Sequence, residues 1–179
     1  MDDLPVVHGL TLLFTGDGKG KTTAALGMLM RAHGHGLTTA VLQFMKTAAW
    51  SPGETGTASE LGIDFFACGS GFTWQQADES LAIRQAQAAW QTAQQYILER
   101  RYDLLVLDEF TYPLSFGWIK TSEAVAWLKL NKPSEMHLVL TGRYAPKKLI
   151  DYADLVTEMK EIKHPFHAAG LLAQVGVEY

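Results

Sequence analysis

The stretch that most limits what this chain can fold into is Leu10-Thr-Leu-Leu-Phe14 running without a break into Thr15-Gly-Asp-Gly-Lys-Gly-Lys-Thr-Thr23. A short apolar run with little polar alternation is what a parallel strand buried on both faces produces. Gly16, Gly18 and Gly20 then let backbone N–H groups converge on one point. From Lys21 a helical stripe of Ala24, Ala25, Leu26, Met28, Leu29 and Ala32 presents the positive end of a helix to that point. Strand, glycine loop and helix together make a phosphate cradle. Within it Lys21 reaches a phosphate as a point charge, and the Thr22 hydroxyl is placed to hold Mg2+. The general pattern G-x-x-x-x-G-K-[ST] has glycine where this chain has Thr15, so the flanking strand and helix carry much of the inference.

Further apolar runs repeat the theme. Ala40–Met45, Ile63–Ala67, Leu104–Glu109 and Met136–Leu140 read as strands. Gly34 and Gly36 lie where the first helix should stop, and helices are expected over about Gln75–Arg101 and Thr121–Leu130. On the longer helix Leu81, Ala88, Trp90, Ile97 and Leu98 are the candidates for a buried face. Strands alternating with helices predict a three-layer α/β/α architecture around a mostly parallel, doubly wound sheet, of the P-loop NTPase-like (RecA-like) class. A length of 179 residues is consistent with one domain spanning 1–179.

Fifteen Lys and Arg against nineteen Asp and Glu leave a formal charge of −4, the wrong balance for bulk attraction to nucleic acid or to an anionic membrane. No apolar run approaches the roughly 18 residues a membrane span needs. Cys68 stands alone, so no disulfide framework can form, and Met1–Leu10 lacks a basic stretch followed by an apolar one. A reducing cytoplasm is the expected setting.

Asp108 and Glu109 close a strand expected to lie beside the first, at the carboxyl edge where open parallel sheets bind ligands. The pair looks like a Walker B element. Either carboxylate could hold Mg2+ directly or through water, one of them could instead cap the next helix, and Glu109 could serve as the general base of an ATPase. Gly69-Ser-Gly-Phe-Thr-Trp74 sets Phe72 and Trp74 in a glycine-flanked loop, as a platform for an apolar ligand or as a satellite core. His164 and His167 flank Pro165 with no partner to complete a metal set, and nothing near Cys68 would make a reactive thiolate.

Taken together, Phe14–Ala25, Gly34-His-Gly36, Val41-Leu-Gln-Phe44, Gly71-Phe-Thr-Trp74, Val106-Leu-Asp-Glu-Phe-Thr-Tyr112, Leu140-Thr-Gly-Arg143 and the ending Lys163–Phe166 to Gly176–Tyr179 resemble the P-loop type of ATP:corrinoid adenosyltransferase. Thr15 is also what that family has. The resemblance implies ATP lying reversed in the loop, with the Co(I) of cobalamin or cobyrinic acid a,c-diamide attacking the ribose C5′ and inorganic triphosphate leaving. It implies ATP contacts from Thr15, Gly16, Asp17, Gly18, Lys19, Gly20, Lys21, Thr22 and Thr23, with Arg31 and Arg143 near the nucleotide. Lys21 and Glu109 take the catalytic roles, and Mg2+ or Mn2+ sits on Thr22, Glu109 or Asp108. Phe72 and Trp74 match the family's corrin-face aromatics, which displace the lower axial ligand of Co(II) so that a flavoprotein donor can reduce it. A homodimer is implied too.

Asp17 replaces the Asn common in relatives, and His167 replaces an Asp. Only nine residues precede the first strand, where several relatives carry a longer arm over the corrin. Two alternatives belong to other classes: a P-loop ATPase or kinase acting on the terminal phosphate, and a non-catalytic sensor of ATP or corrinoid.

Overall fold

The computed structural model describes residues 8–46, 53–69 and 79–177. In chain order it runs β1 (Thr11–Thr15), α1 (Lys21–Gly34), β2 (Thr39–Gln43), α2 (Gly53–Glu60), β3 (Asp64–Ala67), α3 (Glu79–Leu98) and β4 (Leu104–Asp108). It continues through α4 (Thr111–Ser115), α5 (Thr121–Asn131), β5 (His137–Thr141), α6 (Lys147–Ile150), β6 (Leu155–Glu158) and α7 (Pro165–Ala169). The strands form one six-stranded sheet in the order β3-β2-β4-β5-β1-β6. Every neighbouring pair is parallel.

Strand periodicity sends alternate side chains to opposite faces, and each face needs its own cover. Leu13, Leu42, Leu105, Leu107, Leu138 and Leu140 pack under α3 and α5, against Trp90, Ala93, Ile97 and Leu128. Leu12, Phe14, Val41, Leu104, Val106 and Val139 pack against Ala25, Leu29 and Ala32 of α1, and Ala58 of α2. The expected three-layer, parallel architecture is therefore the one observed. All strand carboxyl ends point to one edge, which carries the glycine loop after β1 and the carboxylates after β4.

Two expectations change, and one strand is additional to those read from the sequence. β4 does not lie beside β1, because β5 pairs with both and separates them. An apolar run that can be buried on both faces says nothing of its neighbours, and only the crossovers fix the order. On α3, Leu81, Ala88 and Leu98 are exposed, while the inner face is Ala82, Ala86, Ala89, Trp90, Ala93 and Ile97. Four of those six residues are alanines, whose small side chains carry little hydrophobic signal, so residue size misleads about which stripe is buried. Finally, β6 is an edge strand whose residues are all exposed, which is why it carries no core-strand signature.

Trp90 stacks on Phe110 at 5.1 Å between ring centroids and meets Trp127 edge-on at 5.5 Å. Trp90→Ala is expected to lower unfolding free energy by about 3–5 kcal/mol in urea titrations, with Trp90→Phe retaining much of it. Leu98→Ala, on the exposed side of the same helix, should fall within about 0.5 kcal/mol of wild type.

Candidate active site at the carboxyl edge of the sheet

β1 delivers the chain into the glycine loop at Thr15. Gly16 and Gly20 take positive φ values of 93° and 101°, which disfavour any residue with a Cβ. A Cβ on Gly16 or Gly18 would also collide with the backbone of Met159 and Lys160. That segment follows β6 and clamps the loop: the Met159 N–H donates to the Thr15 carbonyl at 2.8 Å, and the Gly18 N–H donates to the Met159 carbonyl at 2.8 Å. Lys21 closes the loop from within, its Nζ donating to the carbonyls of Gly16 at 2.8 Å and Gly18 at 2.6 Å. No side chain caps α1 at Gly20, so the first-turn N–H groups remain available to an anion.

Asp108 lies below this loop with no exposed surface. Its Oδ1 accepts the hydroxyls of Thr22 at 2.9 Å and Thr141 at 2.6 Å, and its Oδ2 accepts Gln43 Nε2 at 2.8 Å. Both oxygens are thus engaged by neutral donors from α1, β5 and β2. Glu109, one residue on, is arranged differently. Its φ is 62°, in the left-handed region, and its N–H donates to Thr141 Oγ1 at 2.9 Å. Its Oε2 is buried with no hydrogen-bond partner among the described residues. Burial, reinforced by the charge of Asp108, pushes the Glu109 carboxyl up to about 7, although Lys46 and Lys21 pull the other way.

A cleft of about 830 Å³ opens above these groups, lined by Lys19–Thr23, Leu26, Lys46, Glu109, Tyr112 and Arg143, with α2 and Gly176-Val177 at its rim. Desolvation and the nearby Arg143 guanidinium hold the Lys21 pKa below its ordinary value, against the opposing pull of Asp17, Asp108 and Glu109. Burial and the charge of Glu109 raise the Tyr112 hydroxyl to about 12, so it stays protonated at neutral pH.

The expected site residues divide accordingly. Lys19, Gly20, Lys21, Thr22, Thr23, Glu109 and Arg143 come together on the cleft. Thr15, Gly16 and Gly18 frame the loop from behind, while Asp17 is exposed. Asp108 sits beneath, tied to Thr22. Arg31 is exposed on α1, about 15 Å along the helix from Lys21, and does not line the cleft. Phe72 and Trp74 lie outside the described residues. Lys46, which carries no motif, and Tyr112, which closes the Val106–Tyr112 block but has no role assigned from sequence, also join the cleft. Lys46 follows β2 at the same sheet edge, a position that strand direction could have flagged. His164 accepts the Phe166 N–H at 3.2 Å and caps α7.

Arg143 is held through its backbone, whose carbonyl accepts the Thr111 hydroxyl at 2.5 Å. That contact presses Thr111 onto Gly142, where φ is 135° and a Cβ would overlap the hydroxyl.

A glycine loop opening a helix, a buried Asp hydrogen-bonded to the loop threonine, and a second carboxylate at the cleft define a P-loop nucleotide-binding protein. The fold agrees: the chain superposes on the flagellar accessory protein FlaH of Methanocaldococcus jannaschii with a TM-score of 0.57 at 8% identity, covering 86% of this chain and 72% of that one. A KaiC-like protein of Pyrococcus horikoshii gives 0.52 at 16% identity, covering 87% and 75%. Residues 7–179 match the family described as ATP:corrinoid adenosyltransferase BtuR/CobO/CobP. Corrinoid adenosyltransferases from Sinorhizobium and Pseudomonas aeruginosa are 43% and 40% identical, each over 96% of this chain and over 80% and 84% of the relative. CobA of Salmonella typhimurium is 36% identical over 96% of this chain and 86% of its own length. The chain belongs to this family of transferases.

The raised Glu109 pKa makes a signed prediction. The folded state keeps a proton that the unfolded chain loses near the ordinary carboxyl value of 4.5. The resulting stabilisation is full below that pH and is lost as pH rises through about 7. In metal-free buffer, Glu109→Gln should therefore gain in melting temperature over wild type as pH rises across this window, and the gain should level off above it.

Proposed function

We propose that this chain transfers the 5′-deoxyadenosyl group of ATP to the Co(I) of a corrinoid, cobalamin or cobyrinic acid a,c-diamide, and releases inorganic triphosphate. The observation that carries this within a corrinoid adenosyltransferase is the convergence of Lys21, the uncapped first turn of α1 and Glu109 on one cleft. In the proposed reaction the electron pair of Co(I) forms the bond to C5′, and the pair of the C5′–O bond departs with the triphosphate. No phosphate changes hands. The protein must align C5′ and stabilise the negative charge growing on the bridging oxygen. Lys21, Arg143, Lys46 and the N–H groups of the first helical turn hold the triphosphate.

The donor set suits a hard divalent ion, Mg2+ or Mn2+. Glu109 has a buried oxygen without a partner among the described residues, and Thr22 spends its hydroxyl proton on Asp108, leaving its lone pairs free. Glu109 and Thr22 would hold the ion, and Asp108 would orient Thr22 rather than ligate. Bound there, the ion supplies positive charge against the leaving triphosphate.

Phe72 and Trp74 are assigned to the corrin face, where an apolar wall offers cobalt no lone pair and so favours four-coordinate Co(II) for reduction by a flavoprotein. A homodimer is part of this reading, and Arg31 is kept as a residue near the nucleotide, although it lies exposed on α1 away from the cleft. The expected setting is the cytoplasm, and no helix among the described residues is long and apolar enough to cross a membrane.

A carboxyl titrating at about 7 also suits a general base, which is the one feature favouring an ATPase or kinase. An anaerobic assay with MgATP and chemically reduced Co(I) corrinoid separates the two. A light-sensitive Co–C bond with equimolar triphosphate is the expected result. ADP and orthophosphate without alkylated cobalt would overturn it, and tight binding of both ligands without turnover would indicate a sensor. Lys21→Ala should lower kcat by about 10²–10³-fold with either cobalt oxidation state supplied. Trp74→Ala should chiefly impair use of Co(II) corrinoid and spare the pre-reduced substrate.

A further inference from the structure

We propose that Thr141 is a positioning residue, which holds Glu109 in the left-handed backbone turn that carries its carboxylate to the nucleotide cleft. This rests on the assignment of Glu109 as a metal ligand made above. Thr141 ends β5, the strand inserted between β1 and β4. It pairs in register with Phe14, just before the glycine loop, while Leu140 pairs with Leu107, just before the carboxylates. A hydroxyl is thereby placed between the two halves of the site.

The polarity of its bonds is fixed by proton counting. A hydroxyl carries one proton and two lone pairs. The contact with the Glu109 backbone, at 2.9 Å, can only be donated by the N–H, so Thr141 accepts there. Its own proton is then left for Asp108 Oδ1 at 2.6 Å. One side chain thus ties the backbone of Glu109 to the carboxylate that also holds the metal-binding Thr22. Thr141 is 1% exposed, so bulk water has little access to replace the hydroxyl.

The arrangement matters because Glu109 is strained. A non-glycine residue at a φ of 62° sits in a sparsely populated region and persists only where its surroundings hold it. Remove the hydroxyl, and the Glu109 N–H loses its acceptor while Asp108 loses one of its donors. The backbone then has reason to relax toward ordinary φ, carrying the carboxylate off position. Valine has nearly the shape of threonine, so Thr141→Val removes the bonds with little change in packing, and Thr141→Ser keeps the hydroxyl.

The test is Mn2+ affinity in the presence of ATP, read by electron paramagnetic resonance on wild type, Thr141→Val, Thr141→Ser and Glu109→Gln. Thr141→Val should weaken Mn2+ binding by about 10–100-fold, the range seen when a group supporting a metal ligand is lost. Thr141→Ser should stay within about threefold of wild type. Raising Mn2+ should restore kcat in Thr141→Val, with the half-saturating metal concentration shifted upward. A purely structural defect would not respond to metal. Equal affinities for the valine and serine variants, or a kcat that excess metal leaves depressed, would overturn the proposal. Should the valine variant fail to fold, Thr141→Ala against Thr141→Ser isolates the hydroxyl, since both lack the methyl group, and equal affinities there also overturn it. Glu109→Gln separates the two levels. If it binds Mn2+ as tightly as wild type, the metal role of Glu109 falls and the role of Thr141 with it. If it binds weakly while Thr141→Val does not, only the role of Thr141 falls.

Discussion

The site is organised around one buried carboxylate. Asp108 has no contact with solvent, and a charge in that position is tolerated only when its lone pairs are satisfied. The donors come from three elements distant in sequence: Thr22 on α1, Gln43 on β2 and Thr141 on β5. Each is neutral, so none cancels the negative charge, and that charge contributes to the pull on Lys21 and raises the carboxyl of Glu109. The glycine loop, the end of β2 and the end of β5 all have to meet at this point for the carboxylate to be paired.

Two adjacent carboxylates consequently end in opposite conditions. Asp108 is fully engaged within the protein, while Glu109 keeps an oxygen without a donor among the described residues and titrates about 7. Environment rather than residue type separates their roles, as in other sites built from paired acids. Backbone geometry makes the difference: Asp108 is still in the strand, and Glu109 has already turned into the left-handed region that aims the chain toward α4. The parallel sheet sets the wider frame. Because every strand runs the same way, the loop after β1, Lys46 after β2, Glu109 after β4 and Arg143 after β5 emerge at one edge, and the segment after β6 returns to brace the glycine loop.

Much of this was legible in residue order. The apolar runs marked five of the six strands among the described residues, since strands buried on both faces leave continuous hydrophobic sequence. β6 was silent because both its faces are exposed. On α3, Trp90 and Ile97 are buried as expected, and the rest of the stripe was misread because it is alanine, whose small side chain carries little hydrophobic signal. Lys46 was missed because it reaches the cleft only by its position after a strand, outside any motif, while Tyr112 lay within a quoted block whose side-chain placement on α4 only the fold reveals.

Local chemistry, then, was determined by the sequence itself. Gly16, Gly18 and Gly20 before Lys21-Thr22 specify a loop and a helix start, because positive φ and an uncapped first turn are consequences of residue type over a few positions. The family blocks specify the kind of transferase. Strand order, the insertion of β5, the pairing of Asp108 with Thr22 and Thr141, and the bracing of the loop by Met159 were decided only in the tertiary structure. Those contacts join residues up to about 140 positions apart, such as Thr15 and Met159. Their free energy comes from burying particular polar groups against one another, and no local pattern records that.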